Sequence, residues 1–329
     1  MDITIPINVG LSGRAIFEVI DLQTGLVEHV HEQHNMILDS GLEAFGSTSS
    51  VSGTSGSMTY LNWGQWRTYF AVGTGSTAPA VGQTTLTNQV VIQGDTGGFQ
   101  SEQSEVYSYD AINGYYKATI TQVRVINFVA SYNLTEWGLA KAATGSLSIR
   151  ELFRDGSNNP TTIAVASGKQ LKLTHILTLT LPNTLGAVSF DLTGLGTQSG
   201  NGGFWATSTG IATLFQELLT TSGSFKVAFH ATDIALPTAN QVGTWFFSSV
   251  GYNHGTTDTY VGNSRKITKR IALTTAQANM TMREMVLGSN IITSANIASG
   301  FIFKWTTPLI KTASNTVTFV IDVNFTRGP

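Results

Sequence analysis

The segment EHVHEQH at residues 28–34 gathers three imidazoles in a short span, a pattern that invites a metal. His29 and His31 would project from one side of an extended strand, and His34 would approach from the turn that follows. Neutral imidazole is the commonest protein ligand for a transition metal. The neighbouring residues argue the other way. Alternation turns Glu28 and Glu32 away from His29 and His31, no fourth ligand stands nearby, and solvent satisfies exposed rings at little cost. The expectation is that His29, His31 and His34 form no functional metal site and that the protein uses no cofactor.

A second stretch, YFAVGTGSTAPAVGQTTL at residues 69–86, is glycine-rich after a strand, as phosphate-cradling loops are. It has no lysine, and no helical stripe follows to supply the helix N-terminus that such a loop needs. A compact turn held by Pro79 is expected instead. Glu136 and Glu284 could pose as catalytic carboxylates but have no identifiable acid or nucleophile partner, so an ion-pair or capping role is expected of each. His175 stands on the apolar side of its strand and is expected to be a buried, hydrogen-bonded core histidine. Asp110 in YDAING and Asp155 in RDGSNN serve turn geometry. No nucleophile elbow, HExxH helix or EF-hand spacing occurs, and glycan cleavage would need a paired-carboxylate site that is not evident. No catalysis is expected.

Aromatic residues offer binding rather than chemistry. Trp63, Trp66, Tyr69 and Phe70 cluster directly after STSSVSGTSGS, a low-complexity loop at residues 47–57, and Trp205 lies in the second half. Such rings could stack on a sugar, anchor a protein partner, or pack the core at the start of a strand.

These residues must be positioned by a scaffold that reads as nearly all strand. Leu171, Leu173, Leu177, Leu179 and Leu181 alternate with polar residues, as do Val317, Phe319, Ile321, Val323 and Phe325. Further strands are expected at 15–22, 26–34, 69–72, 115–128, 225–230 and 300–305. Two segments, NMILDSGLEAF and TGIATLFQELL, carry helical stripes, the second behind Ser208 or Thr209 as a cap. They occupy comparable places in the two halves, each followed by a strand and a loop ending in Ala78-Pro79 or Leu236-Pro237. SYNLTEWGLA then faces NMTMREMVLG, matching Glu136 with Glu284, and the closing strands match Leu171 with Val317. The fold class expected is therefore all-β: two tandem antiparallel β-sandwich domains related by internal duplication, each with a short helix. Their expected extents are residues 1–183 and 184–329.

Composition bounds the role. Charged residues are 12% of the 329, which leaves a weakly charged surface prone to association and favours a homo-oligomer. A net charge of -2, with SRKITKR at 264–270 the densest basic stretch, argues against nucleic acid. The absence of cysteine removes disulfides and thiolate chemistry. No apolar run approaches the roughly 20 residues of a membrane helix. The opening MDITIPINVGLSG lacks a signal-peptide pattern, so cytoplasmic synthesis is expected.

Three segments in order, NMILDSGLEAFG at 35–46, VGTGSTAPA at 72–80 and TEWGLA at 135–140, resemble a group of tailed-bacteriophage virion proteins, the tail, neck or fibre-associated components. The likeness covers roughly the first half. It implies a non-enzymatic building block, assembled in many copies in the host bacterial cytoplasm and resident in the virion. Its implied partners are itself and other phage structural proteins. A receptor- or glycan-binding appendage module, touching a host surface glycan, and a capsid decoration protein are the alternatives.

Overall fold

The computed structural model describes residues 2–49, 67–94, 103–192, 196–206, 210–219, 226–231, 250–254, 256–288 and 299–328. The chain is predominantly β, in large and mostly antiparallel sheets. A first run comprises β1 (Asp2–Asp21), β2 (Val27–Ile37), α1 (Asp39–Ser49), β3 (Tyr69–Gly73), β4 (Gln89–Gly94), β5 (Gln103–Asp110), β6 (Tyr115–Asn127), β7 (Tyr132–Leu134), β8 (Glu136–Ala140), β9 (Leu147–Leu152), β10 (Ile163–Val165) and β11 (Lys169–Pro182). A second comprises β12 (Thr184–Leu192), β13 (Gly196–Ala206), α2 (Ile211–Leu219), β14 (Lys226–His230), β15 (Val250–His254), β16 (Thr256–Thr257), β17 (Lys266–Leu273), β18 (Thr281–Gly288), β19 (Ser299–Ile310) and β20 (Val317–Arg327).

In the first run the strands pair in the order β5-β6-β11-β1-β2-β9-β8-β3-β4. The second run pairs as β16-β17-β20 and β12-β13-β19-β18-β14-β15. Slot for slot the two orders agree, with one exchange: β20 pairs with β1, in parallel, and not with β12. β1 is thus a spine common to both halves. Gly10 and Leu11 pair with both β11 and β20, while Gly13 to Val19 pair with both β11 and β2. It follows that β20 and β2 succeed each other along one edge of β1, with β11 on the other. Ser12 sits at the join.

β1 can hold this position because its alternation is nearly unbroken. Ile3, Ile5, Ile7, Val9, Leu11, Ala15, Phe17 and Val19 are buried, whereas Asp2, Thr4, Pro6 and Asn8 face out. The layer containing β1 packs against the layer of β9, β8 and β3. Phe17 projects across the gap to Phe70, Trp137 and Phe153, the last two at ring separations of 5.0 and 4.9 Å in edge-on geometry. In the second half Phe319 of β20 meets Phe229 of β14 at 5.3 Å and Trp305 of β19 at 5.8 Å. One hydrophobic cluster runs from Ile3 through Phe325 and draws on both sides of Asn183, the turn between β11 and β12.

The helices also reach across. α1 lies over β9 and over β20, where Phe45 stacks edge-on against Phe325 at 5.1 Å. α2 lies over β19 and the β5–β6 hairpin, burying Ile211, Leu214, Phe215 and Leu219. α1 begins later than its sequence stripe suggests, because Met36 and Ile37 pair with β9 and hold residues 35–37 extended. No helix among the described residues is long and apolar enough to cross a membrane.

Phe17 stands between the layers, fully buried and in contact with three aromatic rings. Replacing it with alanine leaves a cavity facing three aromatic rings, and Phe17→Ala is expected to destabilise the fold by about 3–5 kcal/mol in urea denaturation.

Candidate functional site

The glycine-rich loop between β3 and β4 does close its backbone N–H groups on an anion, and the protein supplies it. Glu136, fully buried at the start of β8, accepts hydrogen bonds on Oε1 from the N–H of Gly75 at 3.0 Å and of Asn88 at 2.7 Å, and on Oε2 from the N–H of Thr87 at 3.0 Å. Arg150 of β9, also fully buried, donates Nη2 to Oε2 at 2.8 Å. Its remaining contacts tie down the rest of the loop: Nη2 reaches the Thr77 carbonyl and Thr87 Oγ1, and Nη1 reaches Gln83 Oε1. The glycines are required by proximity. A β-carbon at Gly73 or Gly75 would collide with the Glu136 carboxylate. The expected compact turn is present, and the ion-pair role expected of Glu136 is met; in the second half Glu284 pairs with Lys304 across β18 and β19 at 2.6 Å.

His175 is buried between Arg67 and Asn35. Arg67 Nη1 donates to Nδ1, and Nε2–H donates to Asn35 Oδ1 at 2.9 Å, which sets the neutral tautomer. Burial, reinforced by the charges of Arg67 and Arg124, holds the ring well below the usual histidine pKa. Asp110 and Asp155 act in turns, accepting from the N–H groups of Ile112 and Asn113, and of Ser157 and Asn159. Side-chain hydrogen bonds from Asn113 and Lys117, with the Asn113 N–H, lower the Asp110 carboxyl pKa, and the Asn159 N–H, with that of Ser157, lowers that of Asp155.

The three imidazoles do not converge. β2 continues through Ile37, so His34 is a strand residue facing away from His29 and His31 and does not approach from a turn. His29 and His31 stack at 6.4 Å, His31 lies over Phe17, and its Nε2 meets Gln33 Oε1 at 2.8 Å. Among the described residues no group of three or more His, Asp or Glu side chains is placed to hold a metal.

Two aromatic candidates are buried. Phe70 is in the inter-layer core, and Trp205 packs with Ala228, Val286 and Ile302 on the outer side of the second-half sheet. Tyr69 is half-buried beside a small cluster of Leu38, Ala71, Leu86, Ala140 and Leu147. Trp63 and Trp66, with most of residues 47–57, lie outside the described residues.

A further feature had no sequence signal. Where β20 gives way to β2 along β1, a cavity of about 720 Å³ opens beside Ser12. Arg14 of β1, Arg154 after β9 and Arg327 of β20 line it together with His34, and Glu151 is the one carboxylate among the described residues of the lining. Arg14 pairs with Glu32 at 2.8 Å, Arg154 Nε with Glu151 at 3.0 Å, and Arg327 with Asp39 at 2.6 Å. These arginines are 140 or more residues apart in sequence, or on different strands, and only the strand pairings bring them together.

Removing either member of the Glu136–Arg150 pair strands a buried charge. Glu136→Gln and Arg150→Met are each expected to cost about 3–5 kcal/mol, and the double variant clearly less than their sum, by thermal or urea unfolding. Acid sensitivity follows from His175. The unfolded chain binds a proton there below about pH 6.5 and the folded chain does not, so stability is complete above that pH and is lost as pH falls below it. The expected slope is up to about 1.4 kcal/mol per pH unit from this residue, absent in His175→Gln; His230, shifted down by burial, adds in the same sense. No family model matches the chain, and no curated protein or solved structure matches it either, so its role has to be argued from these contacts.

Proposed function

We propose that the chain is a non-enzymatic structural protein of a tailed-bacteriophage particle, a building block of the tail, neck or baseplate or of a fibre attachment, present in several copies. The observation that carries this reading is the convergence of the three segments that resemble such proteins. VGTGSTAPA forms the loop that closes on Glu136, TEWGLA supplies Glu136 itself, and Leu38 and Gly41 of NMILDSGLEAFG dock on Ser148 beside Arg150. Residues distant in sequence thus build one packed unit, and the glycine-rich backbone is committed to an internal carboxylate.

The repeated strand order and the matched Glu136 and Glu284 support an internal duplication of two β-sandwich units that exchange β1 and helix contacts. Self-association is supported by the low charge and by the β1–β2 hairpin, where Leu22, Leu26, Val27 and Val30 are exposed. Residues 27–35 of β2 also have no strand partner on the side away from β1 among the described residues. The reading places the protein in the virion, after assembly in the host cytoplasm. A receptor- or glycan-binding role through the aromatic candidates is weakened by the burial of Phe70 and Trp205.

Size-exclusion chromatography with light scattering, and antibody labelling of purified particles in negative stain, test the proposal. The expected outcome is a discrete oligomer and periodic labelling of the particle. Deletion of residues 47–57, or Val27→Ser with Val30→Ser, is expected to shift the chain toward monomer. A chain that stays monomeric at high concentration and is missing from purified particles would overturn it.

A further inference from the structure

The cavity beside Ser12 combines three properties that bear on ligand binding. First, it is of ligand size: about 720 Å³ falls within the few hundred to roughly 1,000 Å³ of small-molecule sites. Second, three guanidinium groups line it, those of Arg14, Arg154 and Arg327, each paired with one carboxylate, Glu32, Glu151 and Asp39, of which Glu151 belongs to the described lining and Glu32 and Asp39 do not. Each guanidinium offers five donors. Arg14 engages Glu32 through Nη1 alone, Arg154 uses Nε and Nη1, and Arg327 uses Nε and Nη2. Donors on all three side chains are left for a ligand.

Third, the rest of the wall is mixed. Ser12 pairs with Thr178 and Arg14 with Ile176 across β1 and β11, and cross-strand partners share a face, so hydroxyls, an apolar side chain and a cation stand side by side. Asn158 also lines it, as does Asn35, whose side chain is turned inward to His175. Hydroxyls and amides match the hydroxyls of a sugar, the apolar surface matches its C–H face, and planar guanidinium groups match a carboxylate or phosphate in bidentate geometry.

We propose that this pocket binds an acidic sugar of about monosaccharide size, with its carboxylate or phosphate held by Arg14 and Arg154. The inference does not rest on the virion reading, since it concerns recognition by the isolated chain. The Arg14–Glu32 pair is exposed, so its strength is low and an incoming anion can compete for Arg14.

The test is calorimetric titration of the full chain with glucuronate, glucose 1-phosphate, inorganic phosphate and glucose, at low and high salt. Saturable binding of glucuronate or glucose 1-phosphate is expected, tighter than inorganic phosphate, undetectable for glucose and weakened by salt. The stronger of the two acidic sugars identifies the anionic group. Arg14→Gln is expected to weaken binding about ten-fold, as loss of a charged hydrogen bond does. Glu32→Gln, which releases Arg14, is expected to strengthen it, an effect that a purely structural arginine would not produce. Both positions are surface-exposed, so both variants should fold, as checked by thermal melting. Absence of saturable binding by either acidic sugar, equal binding of glucose, or affinity unmoved by both variants would overturn the proposal.

Discussion

The buried pair of Glu136 and Arg150 is the constraint around which the first half is organised. A carboxylate with no solvent exposure must be matched by a cation and by hydrogen-bond donors, or the loss of hydration leaves it too costly to bury. Three backbone N–H groups from one loop and one guanidinium meet that demand. Because the backbone donors come from the two ends of that loop and the guanidinium from β9, while the carboxylate stands on β8, the loop, β8 and β9 must all be in register at once. A slip of one residue in β8 would turn Glu136 to the opposite face and strand Arg150 in an apolar layer.

The same constraint accounts for the depth of the layer that holds the pair. All five residues of β8 and all six of β9 are buried, since one side of the layer faces Phe17 and the other is covered by α1 and the loop. Ala71, Ala140 and Leu147 make up the covered side with Leu38 and Leu86, and the second half has a corresponding group in Trp205, Ala228, Val286 and Ile302. There Glu284 is held by Lys304, whose side chain retains some exposure. A lysine ammonium is a point charge on a flexible stem, so it can neutralise a carboxylate without the fork geometry by which Arg150 also grips three loop residues.

β1 plays the complementary part at the scale of the whole sheet. A long strand left open at both edges would expose a row of unpaired backbone groups, and β11, β2 and β20 together cover them over most of its length. The handover from β20 to β2 is incomplete at Ser12, and the cavity follows from that gap. Arginines gather at its rim because it lies where strand ends and loops meet, with the outer faces of β1 and β11 carrying polar residues.

Local sequence determined the long alternating strands of β11 and β20, the second helix, the aspartate turns at Asp110 and Asp155, and the burial of His175. Each depends on residues only a few positions apart, where a two-residue or four-residue period, or a side chain reaching its own turn, is sufficient. Alternation failed as a guide at β8 and β9, where both faces are buried and charged residues stand among apolar ones. The helical period failed at residues 35–37, where the stripe was overridden by pairing to β9. Tertiary structure alone decided that the glycine-rich loop would close on Glu136, that β20 would pair with β1 and not with β12, and that Arg14, Arg154 and Arg327 would share one pocket. Those outcomes depend on contacts between segments far apart in the chain, whose free energies are set by burial and charge pairing after the sheets have formed, and no local pattern encodes them.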